Sequence, residues 1–186
     1  MYAEYNIQDI DCLIVIQEGN VLEQEGVKII HCPTQFETHP DVVLPDSVVG
    51  QFAMLCKNAG FDVAEAVERY GMKNEQHCVV NTRLPHQKRV FPKGQLCPIK
   101  INDNNIFCMA AFNDSDSTTN VEKMSLSQYL LYWENLWKNL ELLTENKEVV
   151  SLAVPGGKYV SVDNALFTCE QKVGMIIYTF FRHLHR

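Results

Sequence analysis

Pro155-Gly156-Gly157-Lys158-Tyr159 is the stretch of this sequence best suited to holding a phosphate. Adjacent glycines let a backbone approach an anion closely, with N–H groups turned toward it. Lys158 would add a positive charge, and Tyr159 an aromatic face for a base or a ribose. The same residues also make an ordinary tight turn with a surface lysine, the commoner use of a lone glycine pair. The P-loop spacing G-x-x-x-x-G-K-[ST] is absent. A second anion position is Ser47-Val48-Val49-Gly50-Gln51-Phe52. It reads as a helix start, where free N–H groups and the helix dipole favour negative charge. Simple capping by Asp46 or Ser47 is the alternative there.

Covalent chemistry finds less support. His31 and Cys32 are neighbours on a predicted strand, so their side chains leave opposite faces and cannot act as a pair. His31 reads as a core or loop-anchoring histidine, near enough to a strand end to touch a ligand. There is no G-x-S-x-G elbow, no H-E-x-x-H and no Cys/His cluster. No catalytic set, metal site or cofactor is therefore expected. Asp114 and Asp116 lie in a polar loop and read as solvated. Trp133 and Trp137, four apart on one helical face, read as core.

The elements that would position these residues alternate between strand and helix. Cys12 to Gln17 reads as a buried strand and Val27 to Cys32 as a second, stopped by Pro33. Asp46-Ser47 opens a helix ended by Gly60, and Asp62 opens another ended by Gly71. Residues 73–89 are polar, with strand character at Cys78-Val79-Val80. Gln95 to Ile101 and Ile106 to Phe112 read as a hairpin joined by Asn102-Asp103-Asn104-Asn105. Ser125 opens the most regular helix, and Val149 to Val154 is a further buried strand. Asp163-Asn164 is expected to start the last helix, with Phe167, Val173, Ile176, Ile177 and Phe180 inward. The order predicts one α/β domain over residues 1–186 with a mixed sheet covered by helices. In such a sheet, ligands bind beyond the carboxyl ends of strands. Three loops qualify: Glu18-Gly19-Asn20-Val21, Pro33-Thr34-Gln35-Phe36, and the glycine stretch at 156–159.

Bulk composition bounds the function. The chain has 186 residues and a net charge of −7, against a general electrostatic grip on nucleic acid. Its 7 cysteines are scattered, none in a C-x-x-C pair, and most lie in apolar runs. That reads as buried thiols in a reducing, cytoplasmic setting. No signal peptide is visible, and the apolar run Met175 to Phe181 is far shorter than the roughly 20 residues of a membrane span.

Several of these stretches, in order, resemble macro-like domains of bacterial Thoeris-type antiphage systems. Gly19-Asn20-Val21-Leu22 stands where that family carries Gly-Asp and two hydrophobic residues before its second strand. Pro33-Thr34-Gln35-Phe36-Glu37-Thr38 is similar to its Asn-x-x-Phe-Asp-Thr loop, and Ser47-Val48-Val49-Gly50-Gln51-Phe52 to its Ser-x-x-Gly-x-Phe helix start. Phe91-Pro92-Lys93-Gly94-Gln95 resembles its Tyr-Pro-x-Gly-Thr, Ile106 to Asn113 the strand that follows, and Leu136-Trp137 a pair on its long helix. Val154-Pro155-Gly156-Gly157 stands at its Pro-x-x-Gly-x-Gly phosphate loop.

The resemblance implies a macro-type, three-layer αβα sandwich. It implies a binding module for an ADP-ribose-derived signal, such as a conjugate or a cyclic form, made by a partner TIR enzyme. It places Gly19, Asn20 and Val21 at the base, and Thr34, Gln35 and Phe36, with His31 nearby, at the distal ribose. Ser47 and Gly50 would take a phosphate, and Gly156, Gly157, Lys158 and Tyr159 would close over the diphosphate. Binding would order the loops and shift self-assembly into a homo-oligomer. Departures are plain: Asn20 replaces an aspartate, Gln95 replaces a threonine, and the glycine loop is shortened. The glycine-rich catalytic loop of ADP-ribose-removing enzymes is absent, since Thr34 to Pro40 holds no glycine. Two alternatives stay open: a hydrolase of an ADP-ribosyl bond, using Glu37, His31 or His39, and a sponge or scaffold protein.

Overall fold

A computed structural model describes residues 3–7, 12–103, 105–114, 122–143, 149–155, 160–162 and 165–185. The strands are β1 (Ala3–Ile7), β2 (Cys12–Ile16), β3 (Val27–Pro33), β4 (Val79–Val80), β5 (Arg89–Val90), β6 (Leu96–Asn102), β7 (Asn105–Asn113), β8 (Glu122–Met124), β9 (Val150–Leu152), β10 (Val160–Val162) and β11 (Ala165–Leu166). The helices are α1 (Val48–Asn58), α2 (Val63–Lys73), α3 (Leu126–Glu141) and α4 (Cys169–Leu184).

The central sheet runs β6-β7-β3-β9. β6 and β7 pair antiparallel, while β3 lies parallel to both β7 and β9. Period-two alternation then sorts the residues between two cores. Val27 and Ile29 of β3, with Cys108, Ala110 and Phe112 of β7, face Tyr129, Trp133 and Leu136 of α3 and Ile176 of α4. Ile30 and Cys32 of β3, with Phe107, Met109 and Ala111 of β7, face Val49 and Phe52 of α1 and Val67 of α2. The result is an α3/α4 layer, the sheet and an α1/α2 layer, the three-layer sandwich that the family resemblance implied.

Each helix starts on a side-chain oxygen that caps a free backbone N–H: Ser47, Asp62, Ser125 and Thr168. The last two form capping boxes with Gln128 and Gln171. Trp133 and Trp137 are core, and Trp137 donates from Nε1 to Thr179 Oγ1 at 3.0 Å, joining α3 to α4.

Some expectations are corrected. β2 is not a buried core strand: among the described residues it pairs with β1 alone, and Leu13 and Val15 are exposed. The run Cys12–Ile16 is continuously apolar, which hides its true one-sided burial. Pro33 ends β3 as its last residue, at an irregularity in register where a missing N–H is tolerated. Gly71 lies within α2, which continues to Lys73. α4 begins at Cys169, capped by Thr168, rather than at Asp163-Asn164, two residues that lie outside the described ones, because β10 and β11 occupy the chain before it. Its deepest positions are Lys172, Ile176 and Thr179; Phe167, Val173, Ile177 and Phe180 are half-buried. Four cysteines are buried (Cys32, Cys56, Cys97 and Cys108), but Cys12 and Cys78 are half-buried and Cys169 is exposed. Among the described residues, no helix is long and apolar enough to cross a membrane.

Candidate functional site

The parallel strands β3, β7 and β9 end at the same edge of the sheet, and three segments leave them there. They are Thr34 to Glu37, Asn113-Asp114 and Ala153 to Pro155. The first is unusual. Thr34, Gln35, Phe36 and Glu37 are all buried, although three of the four are polar. Buried polar groups need partners, and here the backbone supplies many of them. Thr34 N–H donates to Asn113 O at 2.9 Å, Phe91 N–H to Thr34 O at 2.9 Å, and Phe36 N–H to Pro33 O at 2.8 Å.

Phe36 has φ of 55°, the left-handed region that a bulky L-residue rarely enters. Its ring compensates by packing 4.8 Å from Phe91 and 6.0 Å from Tyr70, centroid to centroid. Tyr70 in turn accepts a hydrogen bond from Gln95 Nε2 at 2.7 Å, and burial pushes its phenol up to about 12. Phe36 thus anchors a strained loop, and its ring is fully covered rather than offered to a ligand.

Polar chemistry at this edge gathers on Thr34, an expected site residue, and on Asp114 and Lys93, which the sequence did not single out as a site. Thr34 Oγ1 lies 3.5 Å from Asp114 Oδ1, and Lys93 Nζ pairs with Asp114 Oδ2 at 3.2 Å. This joins a hydroxyl, a carboxylate and a cation across three chain segments. The available signal was Asn113-Asp114 falling at the end of a strand paired with β3, together with the Phe-Pro-Lys-Gly run before β6.

Glu37 is the carboxylate a hydrolase would use. Its Oε1 accepts from Thr38 N–H at 2.9 Å and His39 N–H at 2.8 Å, and its Oε2 from Gln87 N–H at 3.1 Å. Those bonds tie two loops together. His31 is similarly occupied. Its Nε2–H donates to Ala153 O at 2.8 Å, which leaves Nδ1 to accept from the Tyr132 hydroxyl. Phe112, Tyr132 and Trp133 surround the ring, and burial pulls its pKa from 6.5 to about 4. His31 therefore stays neutral near pH 7 and fastens the end of β9 to α3.

The remaining sequence-predicted positions belong to other segments. β2 belongs to a separate hairpin, so Gly19, Asn20 and Val21 do not leave the central sheet. Asn20 Oδ1 accepts from Leu22 N–H at 3.1 Å, and its Nδ2 donates to Glu23 at 3.3 Å, within a single 3-10 turn over Val21–Glu23. At the start of α1, Gly50 N–H donates to Ser47 Oγ at 3.1 Å, and Ser47 Oγ donates to Leu44 O at 2.6 Å. A Cβ on Gly50 would stand 2.3 Å from Leu44 O, so this glycine serves close backbone packing. The Ser47 cap takes one of the free N–H groups of this helix start. Gly156, Gly157, Lys158 and Tyr159 lie outside the described residues, and follow directly in sequence on Pro155 at the sheet edge.

A family model described as the macro domain of the Thoeris protein ThsA matches residues 14–186, nearly the whole chain. Comparison with curated proteins gives no match.

Proposed function

The chain belongs to the family of Thoeris ThsA macro domains, and from that premise we propose that it binds an ADP-ribose-type nucleotide without turning it over. In this reading the nucleotide is a signal made by a TIR enzyme during antiphage defence, and binding alters the protein's assembly. A family alone does not fix an activity. The observation that carries the reading is the Thr34–Phe36 turn, strained and buried beside Asp114 and Lys93 at the carboxyl ends of parallel strands. Ligands bind at such edges, and strained backbone gathers at ligand clamps. Non-catalytic binding is supported by Glu37 and His31, whose polar atoms already serve the fold.

The test is thermal unfolding against ADP-ribose, NAD, cyclic ADP-ribose isomers and amino-acid conjugates of ADP-ribose, with chromatography of the ligand afterwards. A ligand at about 100 times its Kd adds about 2.7 kcal/mol, a shift of about 5–10 °C for a chain of this size. A selective shift with intact ligand is the expected result. Breakdown of the ligand would replace this reading with the hydrolase, and no shift with any compound would reduce the family likeness to architecture.

A further inference from the structure

His39, Asp41 and His86 lie within reach of one ion, although the sequence places His86 far from the other two. Their ligand atoms all fall within 4.8 Å of one another. Asp41 Oδ2 is 3.5 Å from His39 Nδ1 and 4.0 Å from His86 Nε2, and the two imidazoles stack at 3.6 Å between centroids. We propose that these three side chains bind one divalent transition-metal ion of the zinc class, clamping the loop after β3 to the segment before β5.

The chemistry of the donor set selects the ion. Two imidazoles and a carboxylate suit zinc and its neighbours, whereas calcium and magnesium require mostly oxygen ligands. Metal–ligand bonds of about 2.0–2.1 Å in a tetrahedron separate ligand atoms by about 3.3–3.4 Å. The His39–Asp41 distance of 3.5 Å nearly matches that, the His86–Asp41 distance of 4.0 Å must contract by about 0.6–0.7 Å, and the two imidazole nitrogens, within 4.8 Å of each other, must close by at most about 1.5 Å. The stacked rings must also turn their edges toward Asp41, and His86 and Asp41 are exposed side chains with room to do so. Asp41 N–H donates to His39 Nδ1 at 3.3 Å, so that nitrogen carries the lone pair a metal needs. The ion would displace this bond and leave a fourth position for water.

Glu37 prepares the backbone for this site. One of its oxygens holds His39 N–H and the other holds Gln87 N–H, the residue next to His86. A single buried carboxylate therefore sets the distance between the two histidine-bearing segments, the outer support that metal sites require. The proposal does not rest on the nucleotide reading.

The test titrates zinc into the untagged, chelator-stripped full chain by calorimetry, with cobalt absorption as the spectroscopic probe. Saturable one-to-one binding is expected, with a nitrogen/oxygen-ligated cobalt spectrum and no thiolate charge-transfer band. His39→Ala and His86→Ala should each abolish it, and Cys169→Ser should leave it intact. Glu37→Gln should weaken it by about 10–100-fold. The metal-free melting temperature of His86→Ala should match that of the parent, since the residue is exposed, and His86→Gln serves as the second variant if it does not. Undiminished zinc binding in the His39/His86 double variant would overturn the proposal. So would a thiolate spectrum, or calcium or magnesium binding in place of zinc.

Discussion

At the scale of single residues, the histidine nearest the sheet edge has a structural job that can be read from its proton. His31 is held neutral, its pKa pulled by burial from 6.5 to about 4. The unfolded chain binds that proton at higher pH than the folded one does. Folding therefore loses stability from this residue as pH falls from about 6.5 to about 4, and nothing from it above that window. The shift corresponds to about 3 kcal/mol at the acid end. Denaturant unfolding of the parent and of His31→Gln, at pH 7 and at pH 4, isolates the effect from the carboxylates common to both. The variant is expected to be less stable at pH 7, because the Tyr132 and Ala153 contacts are disturbed. It is also expected to lose about 2–3 kcal/mol less than the parent on acidification. Parallel losses would mean that His31 takes up its proton in the folded state at an ordinary pH.

At the scale of elements, much of the frame was legible because local signals and burial agree. Ser47, Asp62 and Ser125 were readable as caps, the α3 stripe as core, and the 95–112 hairpin by its Asn/Asp turn. What was not legible lies in strands whose local pattern misleads or is too short, and in contacts between segments distant in sequence. β2 is apolar throughout yet among the described residues pairs with β1 alone, and the short strands β8, β10 and β11 carry too few residues for periodicity. The Thr34–Asp114–Lys93 cluster and the His39–His86 stack join segments that no local pattern links. Gly94 shows how a motif residue can be structural. It adopts φ of +89°, and a Cβ there would lie 2.6 Å from Asn135 Cβ and 2.7 Å from Tyr132 O. Its carbonyl accepts from Asn139 Nδ2 at 3.0 Å, so the turn into β6 presses directly on α3. Gly60 has φ of +68° with nothing within 4 Å of an added Cβ. Gly60→Ala should cost about 1 kcal/mol, the conformational term alone. Gly94→Ala adds overpacking of about 1–3 kcal/mol, and should lower the melting temperature by about 5–10 °C more than a conformational cost does. Equal shifts for the two would show that α3 yields to the added methyl.

At the scale of the whole molecule, the two cores lie on either side of the sheet while the candidate ligand loops collect at one edge of it. Stability and recognition should therefore separate under mutation. The chain carries a net charge of −7, so an anionic nucleotide cannot be drawn in by the overall field. Under the proposed function, local N–H groups and single cations would hold it. Lys158, after the glycine pair that follows β9 in sequence, is proposed as one such cation. A hydrogen bond between a charged group and a phosphate contributes about 1.5–3 kcal/mol, or about 10–150-fold in affinity. Lys158→Ala is expected to weaken ADP-ribose by that factor in calorimetry. Its ligand-free melting temperature is expected to change little if the side chain serves the ligand and not the fold. Adenosine, which lacks the diphosphate, should bind parent and variant alike. If the variant lost adenosine and ADP-ribose equally, Lys158 would be ordering the loop rather than meeting the phosphates. If it lost neither, the diphosphate would sit nearer Lys93 and Thr34, and Lys93→Ala would then show the loss instead.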